Sequence, residues 1–297
     1  MSRIVCVGSM NMDIAAYSAV LPRPGETVFG TSFVSSPGGK GLNQAVAARR
    51  LGAQVAFVGC LGTDQPGNEL SAFLQSEGID ISGIAQSDTV PTGAAIILVD
   101  SNSENAIVVI SGANMSWPKR ALDQLKLAAG DIVVSQFEIS DVIIIEAFIR
   151  ARALGARTIL NAAPARKMPA QLLPLIDILV VNETELAACA GSPRDTVDVD
   201  AVTAITLALS NDERSVVATL GAEGAVIASE GTATYLPGLV VKPVDTAGAG
   251  DCFVGALAAA LLRGETLMAA ATFANYAASI SVTRQGTALA MPRMSEL

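Results

Sequence analysis

The sequence predicts an α/β fold: a doubly wound, mostly parallel sheet with helices on both faces, carrying a small inserted β-sheet. Three observations lead there. Short runs rich in β-branched residues alternate with longer stretches of helical apolar periodicity, the pattern of successive βα units. The chain of 297 residues is 51% hydrophobic and only 16% charged, enough apolar side chain for a large core. Residues 22–37 and 92–111 break the alternation and read as strands joined by turns.

Taken in order, residues 3–8 (RIVCVG) are apolar at nearly every position, as a strand covered on both faces requires. Residues 22–37 are too rich in Pro and Gly for a helix. A helix over 42–51, a strand over 54–59 and a helix over 68–77 follow, and residues 92–111 form a hairpin around SNSEN. Helices are expected over 118–128, 141–153 and 199–209, and strands over 131–135, 157–161, 177–182 and 215–221. Phe253, Ala256, Leu257, Ala260 and Leu261 recur at i, i+3, i+4, i+7 and i+8, so a helix with one buried face starts at GAGD. The uncharged run 266–283 nears the length of a membrane span, but it is Ala-rich and carries Thr272, Asn275 and two serines; it reads as a buried helix. No repeat or linker divides the chain, so residues 1–297 are expected to form one domain, with inserted β segments at about residues 14–37 and 92–112.

Composition excludes several classes of function. A formal charge of −9 without a Lys/Arg cluster argues against nucleic-acid binding. No span and no export signal are read, which points to the cytoplasm, and four cysteines without CxxC spacing fit reduced thiols. With no histidine there is no Ser-His-Asp triad, Cys-His pair or HExxH zinc site. Any general base is therefore Asp, Glu, Lys, Tyr or Cys.

In open α/β sheets ligands bind beyond the carboxyl ends of the strands, and unusual polar groups fall there. Asn11 and Asp13 follow the first strand and Glu138 follows the strand at 131–135; Asn182 and Glu185 follow the strand at 177–182, and TLGAEG (219–224) ends another. Each also has a plain structural reading: NETE as a capping box, TLGAEG as a β-turn, Asp251 as the acid of a helix start. The glycine-rich stretches fail the common phosphate motifs. SPGGKG lacks the first glycine of GxxxxGK[ST] and has Gly41 for its Ser or Thr; GSMNMD lacks GxGxxG, and GAGDCF has Phe253 at the third glycine, which speaks against a dinucleotide oxidoreductase. GAGD instead offers a helix N-terminus whose amides face an anion.

GSMNMD, PGETV, GGKGLNQAVAARRLGAQVAFVGCLGTD, NAAPAR, NETE, TLGAEG and DTAGAGDCFVGAL stand in the order and spacing of the ribokinase branch of the PfkB carbohydrate kinases, and the resemblance spans essentially the whole chain. It implies a ribokinase-like three-layer α/β/α fold with a β-sheet lid that also forms a homodimer contact. It further implies an enzyme that moves the γ-phosphoryl group of ATP, with Mg²⁺, onto a free sugar, D-ribose at its 5-hydroxyl. Rivals within the class are 2-deoxyribose, another pentose or ketose, or a nucleoside; outside it stands a silent sugar- or nucleotide-binding regulator. The matching positions make Asp251 the catalytic base and Gly248, Ala249 and Gly250 the anion hole. Asn11, Asp13, Gly39, Lys40, Asn43 and Glu138 become sugar-binding, and Asn182 and Glu185 serve hydrated Mg²⁺ and the ATP phosphates. Thr219, Gly221, Gly224, Gly250 and Asn275 fall to the nucleotide. Asp245 with carbonyls of Ala247, Ser281, Arg284 and Gly286 would hold K⁺. The chain departs from the pattern at Met12, Leu42 and Ala162, which touch on the sugar pocket, and at Ala290, where a hydroxyl near the cation is usual.

Overall fold

A computed structural model describes residues 2–102, 104–118, 121–191 and 198–297. Its strands are β1 (Ile4–Val7), β2 (Asn11–Ser18), β3 (Gly30–Gly38), β4 (Val55–Gly62), β5 (Asp80–Ser87), β6 (Gly93–Val99), β7 (Asn105–Ile110), β8 (Ile132–Gln136), β9 (Arg157–Asn161), β10 (Ile178–Asn182), β11 (Ser215–Thr219), β12 (Gly224–Ser229) and β13 (Thr232–Pro237). Its α-helices are α1 (Lys40–Arg50), α2 (Gln65–Ser76), α3 (Asp141–Ala153), α4 (Glu183–Ala190), α5 (Val199–Leu209), α6 (Ala249–Leu262) and α7 (Leu267–Ser281).

The main sheet runs β13-β12-β11-β10-β9-β8-β1-β4-β5, parallel from β11 to β5 and antiparallel at the β12 and β13 edge. Strand β1 shows why it is covered on both sides. Ile4 and Cys6 enter one core with α1, α6 and α7, whereas Val5 and Val7 enter the other with α3. That is the three-layer architecture the sequence predicts. Chain order reverses between β1 and β8, so the loops after these two strands diverge and leave a crevice.

The second sheet, β3-β2-β6-β7, begins at Asn11, ahead of the start expected near residue 14. Within 22–37 only β3 is a strand; its partner is β2, and the intervening prolines, lacking amide donors, belong to the connection. The helix expected over 118–128 is absent from the described residues there. A 3₁₀ turn covers Ala121–Gln124, because the Leu122 carbonyl takes Leu125 N–H at 3.0 Å and the Arg150 guanidinium at 2.6 Å in place of an α-helical amide. Helix α6 is buried all round from Asp251 to Leu261, its small side chains fitting between neighbouring layers, where the sequence predicts a single buried face. Helix α7 is the converse: only Ala270, Ala271, Ala274, Ala277 and Ser281 are buried, a stripe of one face. No helix of the described residues is long and apolar enough to cross a membrane.

Candidate active site

The crevice between β1 and β8 is shaped by close backbone contacts that only glycine allows. Gly39 caps α1 with φ +91°, and a Cβ there would lie 2.8 Å from the Asn11 amide; one on Gly41 would lie 2.6 Å from the Ser9 amide. The PGGKG turn thus lies flat on Ser9–Asn11. In that position Lys40 N–H (3.1 Å) and Ser9 Oγ (2.6 Å) both donate to Glu138 Oε2, and Gly41 N–H donates to Ser9 Oγ. Asn11 is held by Asn114, in the 3₁₀ turn Gly112–Met115 after β7, whose Nδ2 donates to Asn11 Oδ1 at 2.7 Å and to the Met10 carbonyl at 3.0 Å. Asn11, Asn114 and Glu138 line a cavity of about 610 Å³ bounded by Val109 of β7. The Asp13 carboxyl lies over Gly38, where a Cβ would clash at 2.0 Å.

Three carboxyls share this crevice. Burial pushes Asp13 up to about 7, with the charges of Glu138 and Asp251 adding to the shift. Lys40 is raised in turn, first by Asp251, against the opposing effect of burial, with Glu138 and Glu185 assisting. The ammonium is therefore retained at neutral pH among acids that surround it.

Asp251, in the first turn of α6, is 6% exposed. Its Oδ2 accepts from Asn43 Nδ2 at 2.9 Å and its Oδ1 from Gln44 Nε2 at 3.0 Å. The two helices come this close because Gly255, one turn beyond Asp251, faces α1: a Cβ there would meet the Gln44 carbonyl at 2.5 Å and Ala47 Cβ at 2.6 Å. Gly248 caps α6 with φ +75°. Ala249 N–H donates to the Thr246 carbonyl at 3.3 Å, leaving Gly248 and Gly250 as the predicted amides with no backbone acceptor among the described residues. A Cβ on Gly250 would meet nothing within 4 Å, so its face toward the cleft is open. Asn43 Oδ1 is buried and unpartnered among the described residues, an acceptor left over for a hydroxyl.

Asn182 and Glu185 form the capping box of α4 that the plain reading of NETE foresees: Glu185 N–H donates to Asn182 Oδ1 at 2.8 Å and Asn182 N–H to Glu185 Oε2 at 2.9 Å. Both still line, with Lys40, Thr219, Gly250 and Asp251, a cleft of about 160 Å³. Burial raises the Glu185 carboxyl, while the Asn182 amide and Lys40 oppose that shift. An adjoining apolar cavity of about 430 Å³ holds Gly221, Val240 and Asn275 and shares Thr246 and Ala249 with the cleft. Gly224 lines neither; at φ +109°, with a would-be Cβ 2.1 Å from the Leu236 carbonyl, it turns β11 into β12. Asn275 Nδ2 donates to the Pro237 carbonyl at 2.9 Å and ties α7 to the end of β13.

At the outer corner Asp245 accepts from Ala247 N–H and Gly286 N–H, each at 2.9 Å, and the Ser281 carbonyl takes Arg284 N–H at 3.1 Å. The expected cation residues are thus gathered in one place. Met12 and Leu42 pack into one core and Ala162 into the other, so none of them lines the crevice; Ala290 is buried without a hydroxyl. Gln44, Asn114, Gln136 and Asn161 carry the site's internal bonding and were not singled out by the sequence, which marks Gln44 only as an amide in GGKGLNQ and Gln136 and Asn161 only as amides ending the strands β8 and β9.

The family model described as pfkB family carbohydrate kinase matches residues 1–294. A ribokinase of Haemophilus influenzae is 36% identical over 299 residues, covering 99% of this chain and 96% of that one. A deoxyribokinase of Salmonella typhi is 31% identical over 296 residues, covering 99% and 96%. The structure of Arabidopsis thaliana ribokinase complexed with ribose and ATP superposes with a TM-score of 0.89 at 31% identity, covering 99% of this chain and 97% of that one.

Proposed function

The chain belongs to the pfkB family of carbohydrate kinases, and on that premise we propose that it phosphorylates D-ribose with ATP to give D-ribose 5-phosphate and ADP. The observation that carries this reading is the placement of Asp251: its carboxylate stands between a crevice of sugar-suited acids and amides and the open amides of a helix start. The sugar 5-hydroxyl gives its proton to Asp251 as its oxygen bonds to the γ-phosphorus, and the bond to the β-phosphate oxygen breaks, releasing ADP. Such transfer needs alignment and neutralisation of spreading negative charge more than covalent help, which suits the Gly248 and Gly250 amides and the Lys40 ammonium. The apolar cavity at Asn275 is of a size for a nucleobase. Asn11, Asp13, Gly39, Asn43 and Glu138 are assigned to the sugar, and Lys40 serves both the sugar and the phosphoryl group.

Magnesium fits as a hydrated ion. Among the described residues no three Asp, Glu, His or Cys side chains converge as a cage, and Asn182 and Glu185 would hold it through water and the ATP phosphates. When bound it neutralises phosphate charge. Potassium is assigned to Asp245 with the carbonyls of Ala247, Ser281, Arg284 and Gly286, a reading supported by the Ala247 and Gly286 amides that tie those residues to the Asp245 carboxylate. A homodimer through the lid is supported by its apolar outer positions, Phe33 at 74% and Val108 at 62% exposure, and a monomer in sedimentation at micromolar concentration would remove that reading. A reducing cytoplasm suits the four unpaired cysteines.

An assay of ADP release over pentoses, 2-deoxyribose, hexoses and nucleosides, with and without K⁺, tests the function. D-ribose is expected to give the highest kcat/KM. The missing hydroxyl of 2-deoxyribose should cost about 1–3 kcal/mol, roughly 5- to 150-fold. A preferred nucleoside or deoxyribose would reassign the substrate, and no ADP release from any sugar would leave a silent regulator.

Asp13 adds a pH signature. Titrating near 7 in the free protein, it becomes a pure acceptor for sugar hydroxyls only as pH rises through that value. The ribose KM should therefore fall between about pH 6 and 8, and Asp13→Asn should flatten the trend at a higher KM. A wild-type KM independent of pH would sink this role.

A further inference from the structure

Behind Asp251 lies a run of buried amides, Gln44, Gln136 and Asn161, of which Asn161 alone lines the cleft. Gln44 is 1% exposed and Gln136 is fully buried. Gln44 Nε2 donates to Asp251 Oδ1 and to Asn161 Oδ1, both at 3.0 Å, and Gln44 Oε1 accepts from Gln136 Nε2 at 2.6 Å. We propose that Gln44 is a positioning residue for the phosphoryl transfer, orienting the Asp251 carboxylate, and that Gln136 sets the orientation of Gln44.

Hydrogen-bond polarity carries the argument. A carboxylate only accepts, so Gln44 must turn its NH₂ group toward Asp251. Asn161 confirms that direction: its own Nδ2 is given to the Val180 carbonyl at 3.2 Å, leaving its Oδ1 to face Gln44. With both hydrogens of Gln44 engaged, its oxygen can face only a donor, and Gln136 supplies one. Every amide in the run thus has a single allowed orientation, set by the carboxylate at its end. The arrangement leaves Gln136 Oε1 buried against Gly8 without a partner among the described residues. Leucine would fill either volume without that penalty, so packing alone does not account for two glutamines here. What they do provide is a second clamp on Asp251. With Asn43 on Oδ2 and Gln44 on Oδ1, the carboxyl plane of this cleft-lining residue is held at both oxygens from α1.

The proposal rests on Asp251 as proton acceptor, and the test separates the two. Gln44→Leu and Gln136→Leu are made in the wild type and in an Asp251→Asn background. Misplacing a reacting group by about 1 Å costs on the order of 100-fold. Gln44→Leu should therefore lower kcat by roughly 10- to 100-fold, with the KM values of ribose and ATP within about threefold, and should lower the melting temperature because Gln136 Nε2 and Asn161 Oδ1 lose their partner. Gln136→Leu should act in the same direction more weakly and add nothing to Gln44→Leu. In the Asp251→Asn background Gln44→Leu should leave kcat as it is. Wild-type kcat in Gln44→Leu, or an equal further loss in the Asp251→Asn background, overturns the proposal while leaving the base intact. Normal turnover by Asp251→Asn alone overturns the base and the proposal with it. If Gln44→Leu does not fold, Gln44→Met is read by the same criteria.

Discussion

Asp251→Asn lowers kcat by about 10²–10⁴-fold, the usual worth of a positioned general base, while ATP binds within about threefold of wild type. The substitution keeps the volume and removes the basic oxygen. The site is built to tolerate it. Gln44 is locked by Asn161 and Gln136, but Asn43 has a buried Oδ1 with no partner among the described residues, so its amide can turn over and accept from the new NH₂ group. Loss of turnover should therefore come without loss of fold. Lys40, which Asp251 more than any other group holds raised, loses part of that support, so a secondary rise in ribose KM at alkaline pH accompanies the loss. Single-turnover phosphoryl transfer measured beside ATP titration by calorimetry separates the two effects, and a kcat within tenfold of wild type would refute Asp251 as base.

The parts of this molecule that the sequence announced are those whose signal is local. Strands covered on both faces, such as β1, are apolar without alternation, and the site residues follow strand ends because an open sheet has nowhere else to hold a ligand. The hairpin of β12 and β13 went unread for an equally local reason. Its two-residue turn is Glu230-Gly231, both at positive φ, where Asn-Gly or Asp-Gly would have marked the turn. The amide run behind Asp251 is a different matter. Gln44 lies 207 residues from Asp251 and 92 from Gln136, and they meet because Gly255 lets α6 settle on α1. Nothing within a window of either residue states that. The same limit applies to Asn114, 103 residues from the Asn11 it orients.

Gly250→Asp should lower kcat/KM for ATP by about 10³-fold with the melting temperature within a few degrees of wild type. A new carboxylate about 4 Å from a phosphate opposes it by about 4 kcal/mol in a partly solvated cleft. The structural half of the expectation follows from the open space around Gly250, where a Cβ meets nothing within 4 Å. Gly41 is the contrast, since a Cβ there would press on the Ser9 amide at 2.6 Å and Gly41→Ala should fail by displacing the PGGKG turn. The two glycines serve different ends, one letting backbone approach backbone, the other keeping the way clear for an anion. That distinction also resolves why an acid stands one residue from an anion site. Asn43 and Gln44 draw the Asp251 carboxylate toward α1, so the positive end of α6 remains available to phosphate. An aspartate at 250 has no such partners to turn it aside. If Gly250→Asp keeps kcat/KM for ATP within tenfold of wild type, the transferring phosphoryl group does not sit at this helix start.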